Sequence, residues 1–113
     1  MKYVSILGTK YKIEYVKAQN DAVIGKTGDA YCDWTVKRIV LQDPKDAGGN
    51  LGDMGCYWKI TLRHEILHAF MFECGLAQNS LETDAWAQNE EMIDWFARIG
   101  PKIIKAWADA GCM

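Results

Sequence analysis

The chain has 113 residues, half of them hydrophobic, with 13 Lys and Arg against 15 Asp and Glu for a formal net charge of -2. That composition is expected to form one folded domain, residues 1–113, and not a disordered segment. Near-neutrality without a dense basic run gives no electrostatic case for nucleic acid or an anionic membrane.

The N-terminal apolar stretch, Val4 to Leu7, is too short for a signal peptide, and no run of about 20 apolar residues is present to span a bilayer, so no membrane partner and a cytoplasmic location are expected. Cys32, Cys56, Cys74 and Cys112 form no C-x-x-C pair, so reduced thiols are expected in place of a zinc knuckle or a structural disulfide.

In chain order, "YVSIL" and "YKIEYV" flank Gly8-Thr9 and predict a β-hairpin, the second strand alternating polar and apolar positions as a half-buried strand does. Residues Gln19 to Asp29 read as a polar connection. "AYCDW" and "VKRIVLQ" predict a second strand pair turning near Asp33-Trp34, stopped by Asp43-Pro44. The glycine-rich "DPKDAGGNLGDMG" predicts a long loop. Tyr57 to Cys74 holds no internal Gly or Pro and is apolar nearly all round, which predicts a central buried helix capped by Gly75. A second helix is expected from Asn79 or Ser80, with Asn79 and Glu82 as a capping box, to about Ile99, where Gly100-Pro101 should break it. "PKIIKAWADAG" then predicts a short last helix. Tryptophans 34, 58, 86, 95 and 107 are expected in the core.

The chain's two histidines lie in "TLRHEILHAF". Positions four apart share a helix face, so His64 and His68 can aim their nitrogens at one ion, and zinc accepts imidazole nitrogen at about 2.0–2.1 Å. Glu65 is rotated by about 100° from His64, which places it beside the ligand line, where it can take a proton from water. Three titratable groups on an apolar helix need partners, and a metal would supply one.

A catalytic zinc ordinarily has a third protein ligand. Glu73 is on the wrong side of the helix, and Cys74 is about 15 Å along the axis. If the chain reverses after Gly75, residues about ten positions into the next helix return level with the histidines. "QNEEMIDWFARIG" offers Glu90 and Glu91 there, and Glu90 has Asp94 one turn on, where a carboxylate can hold the free N–H of a ligand histidine.

"HEILH" followed by "NEEMID" resembles the thermolysin-like branch of the zinc metallopeptidases, the gluzincins, with H-E-x-x-H and a downstream N-E-x-x-x-D; the stretch from Thr61 to about Ile103 resembles minimal phage or prophage zincins. In this sequence His64, Glu65 and His68 match the first part, and Asn89, Glu90 and Asp94 the second. The resemblance implies an α+β fold: a small antiparallel sheet on the central H-E-x-x-H helix, followed by two further helices. It implies Zn2+ as cofactor, Glu90 as third ligand, Glu65 as general base and Asp94 as anchor of a ligand histidine. It also implies hydrolysis of a peptide or protein substrate held as an extended chain on an edge strand, for which "VKRIVLQ" is the candidate. The chain departs from the larger relatives in having no third histidine to stabilise an oxyanion; Tyr31 and Tyr57 are candidates. The alternative is a zinc-containing binding or regulatory module that has the fold without the hydrolysis.

Overall fold

The computed structural model describes residues 2–26, 28–79 and 90–113. Within them the chain is a small α+β fold with a four-stranded mixed sheet and four helices. The strands are β1 (Lys2–Ile6), β2 (Thr9–Val16), β3 (Ala30–Asp33) and β4 (Arg38–Gln42); the helices are α1 (Pro44–Ala47), α2 (Met54–Glu73), α3 (Leu76–Asn79) and α4 (Glu90–Asp109). No helix among the described residues is long and apolar enough to cross a membrane.

Strands β1 and β2 form the expected hairpin, pairing Val4 with Tyr11 and Ile6 with Thr9. Leu7 and Gly8 both have positive φ, 51° and 86°, as a two-residue turn matched to the right-handed twist of its strands requires. The second hairpin also forms, with Cys32 opposite Ile39 and Ala30 opposite Leu41.

The sheet order β1-β2-β4-β3 overturns two expectations. The sheet is mixed, not antiparallel, because β4 runs parallel to β2, Ile13 lying opposite Ile39. And "VKRIVLQ" is not an edge strand: β4 is paired on both sides, and β3 takes the edge. The reason lies in burial. Ile39, Val40 and Leu41 are all fully buried, whereas every residue of β3 is half-buried. Three consecutive apolar residues suit a strand covered on both faces. Amide exchange is therefore expected to be slowest in β4 and faster along β3; rapid exchange throughout β4 would contradict this order.

Helix α2 packs on the sheet through Trp58, Leu62, Glu65, Ile66, Ala69 and Phe70, one stripe at helical spacing. The helix is not buried all round: Ile60 is half exposed, and His64 and His68 face outward. Asp53 caps its start by accepting the Cys56 N–H at 3.0 Å, earlier than the sequence reading placed it. Gly75, at φ 82°, turns the chain after its end.

A further correction concerns Gly100-Pro101, which does not divide the last helix; α4 runs through Pro101. Proline removes one backbone donor, but Trp95, Ile99, Ile103 and Ala106 stay in phase across it and all meet the core. Continuous packing outweighs one lost hydrogen bond. Lys2 Nζ donates to the Ala110 carbonyl, tying the first strand to the end of this helix. The expected capping box at Asn79, Ser80 and Glu82, and Trp86, lie outside the described residues. Trp58, Trp95 and Trp107 join the core, while Trp34 is 41 % exposed.

Candidate metal centre

The first requirement of a metal pair is met on α2. His64 Nε2 and His68 Nε2 are 3.0 Å apart. Two nitrogens bound to one zinc at the tetrahedral angle are about 3.3 Å apart, so a few tenths of an ångström of side-chain adjustment would admit the ion. Donor atoms of His64, Glu65 and His68 all lie within 4.8 Å of one another. Both imidazoles are solvent-exposed, whereas Glu65 is only 6 % exposed. This difference follows from the helix: His64 and His68 flank the buried stripe, and Glu65 belongs to it.

Burial shapes the chemistry of the cluster. It pushes the Glu65 carboxyl above the usual range, with the neighbouring His64 acting the other way. A carboxylate made more basic is better suited to accept a proton near neutral pH. Burial, and then His64, lower the pKa of His68, which favours the neutral ring a metal needs.

Strand β3 lies beside this cluster and runs in the same direction as α2. Tyr57 donates its hydroxyl to Asp29, just before β3. Cys32 senses the Glu65 carboxylate. Trp34 stacks on Phe72, ring centroids 5.2 Å apart, and Lys37 bonds Glu73 at 3.0 Å. The contacts of Asp29, Trp34 and Lys37, which flank the edge strand in the chain, align it with the helix. Glu73 also accepts from Tyr11 at 3.3 Å, so its carboxylate serves the scaffold, in keeping with its exclusion as a ligand. Burial, and after it the Glu65 charge, push the Cys32 thiol up to about 12. At pH 8 Cys32 is expected to alkylate at least about tenfold more slowly than exposed Cys56 and Cys74; equal rates would place Cys32 outside this setting.

Of the second half of the motif, Asp94 is the residue whose side chain lies among the described residues. Asp94 is exposed and accepts from Arg98 Nε at 2.9 Å, one turn along its own helix. Glu90 opens α4, but its side chain, like Asn89, lies outside the described residues. Of the tyrosines, Tyr31 donates to Asp21 at 2.9 Å from the face of β3 opposite Cys32. Tyr57 is on the histidine side of α2 and engaged with Asp29. The sequence reading missed Asp29 and Cys32; the alternation of Ala30 and Cys32 in "AYCDW" was the available signal that they share the helix-facing side.

No family model, curated protein or solved structure matches the chain.

Proposed function

We propose that this chain is a zinc-dependent peptidase in which His64, His68 and Glu90 hold the metal and Glu65 is the general base. The observation that carries the reading is the cluster on α2: two outward imidazoles with nitrogens 3.0 Å apart and a buried carboxylate in reach of both. A histidine pair on its own would be satisfied by its mutual hydrogen bond; the buried Glu65 carboxyl between them is what a purely structural pair does not need.

Zinc held there would polarise a peptide carbonyl and bring the pKa of a water toward about 7. Glu65 would be the group placed to take a proton from water as it adds to the carbonyl carbon and to pass it to the departing amine nitrogen. The substrate lies extended along β3, the edge strand of the described sheet that packs beside α2, adding main-chain hydrogen bonds to its open edge. Asp94 would have to exchange Arg98 for a ligand histidine to serve as its anchor.

That engagement of Asp94 by Arg98 favours a second reading, a zinc-containing module without hydrolysis. A digest of unstructured peptides by the zinc-loaded protein separates the two. Cleavage that stops on chelation and returns with zinc is the expected result; a metal-loaded protein that cleaves none of a broad panel supports the module.

A further inference from the structure

A cavity of about 340 Å³ opens where the start of α2 meets the approach to β3. Asp29, Tyr57, Trp58, Leu51 and Met54 are among the residues that line it. None of the residues around it is cationic, and Asp29 is its one carboxylate. Tyr57 donates to one oxygen of Asp29, which leaves the carboxylate further lone pairs for a second donor.

The cavity stands in register with the metal cluster. Tyr57 precedes His64 by seven residues on one side of α2, about 10 Å of helix. Asp29 precedes Cys32, whose thiol feels the Glu65 charge, by three residues, also about 10 Å of extended chain. Two separate elements therefore set the same distance. An extended peptide lying on β3 with one bond at Glu65 would carry a side chain about three residues away to this cavity.

We propose that the cavity is a specificity pocket for a cationic side chain, Lys or Arg, about three residues from the bond that His64 and Glu65 face. The inference rests on the peptidase reading for the placement of the peptide. The pocket supplies what such a side chain needs: a carboxylate for its charge, aromatic faces for cation–π contact, and apolar wall for its methylene stem. An acidic side chain would meet the Asp29 charge with no cation beside it.

The test is binding, which needs no turnover. Extended peptides identical except for Arg, Ala or Glu at one scanned position are titrated into Glu65→Gln protein, followed by the Trp58 indole N–H resonance. The Arg peptide is expected to bind about tenfold more tightly than the Glu peptide. Asp29→Asn, which keeps an acceptor for Tyr57, should reduce that ratio to about twofold or less. Leu51→Lys, at a position 57 % exposed and so tolerant of change, should reverse the order. Equal binding of the Arg and Glu peptides, a preference that survives both variants, or no binding by any peptide overturns the pocket. If the preference holds while wild-type protein cleaves nothing, the pocket stands and the peptidase reading falls. If cleavage depends on Glu65 and ignores the basic residue, the pocket falls alone.

Discussion

Glu65→Gln is expected to keep its zinc and its fold while peptide hydrolysis falls by about 10²–10⁴-fold, the usual worth of general-base assistance. The amide has the shape of the carboxylate but cannot take a proton from water. Glu65 is buried, and burial already disfavours its charge, so a neutral amide at that position removes a desolvation penalty. The variant should therefore be at least as stable as the parent, and a loss of activity would report proton transfer and not unfolding. The measurements are zinc content after dialysis, thermal unfolding, and initial rates on an unstructured peptide. Wild type and variant cleaving at the same rate would remove Glu65 from the mechanism.

Metal content itself carries the second large effect. His64→Ala and His68→Ala are each expected to abolish stoichiometric zinc, because removing either imidazole leaves one nitrogen of a pair set 3.0 Å apart. Both residues are solvent-exposed, so neither substitution opens a cavity in the core, and the fold should survive. Glu90→Ala is expected to lose zinc as well, while Glu91→Ala retains it. Full occupancy in either histidine variant would end the proposal of a two-histidine site. Zinc lost by Glu91→Ala and kept by Glu90→Ala would move the third ligand one residue along the chain. Zinc kept by both would mean that the first turn of α4 does not close on α2 when the metal binds.

What the sequence by itself determined follows from local rules. The i, i+4 spacing of His64 and His68 fixes their shared side on any helix, and Glu65 must then sit about 100° around it. Gly8 and Gly75 occupy positive-φ positions at a hairpin turn and a helix end, 86° and 82°, and both were legible because glycine is the residue suited to them. Both hairpins were legible from alternation and turn chemistry.

Tertiary packing decided the rest. "RIVLQ" gains most by burying both of its faces, so β4 sits between β2 and β3, and the open edge beside the histidines belongs to β3. Gly100-Pro101 reads as a break on local propensity, yet the apolar positions on either side stay in phase, and their joint burial keeps α4 whole. Asp29 and Tyr57 are 28 residues apart in the chain, and no local pattern announces their contact. It arises because α2 lies along β3 in the same direction, an alignment set by Trp34 on Phe72 and Lys37 on Glu73. Local spacing can place two ligands on one helix because the helix is a rigid ruler. What lies across from them depends on which strands bury most, a comparison made over the whole fold.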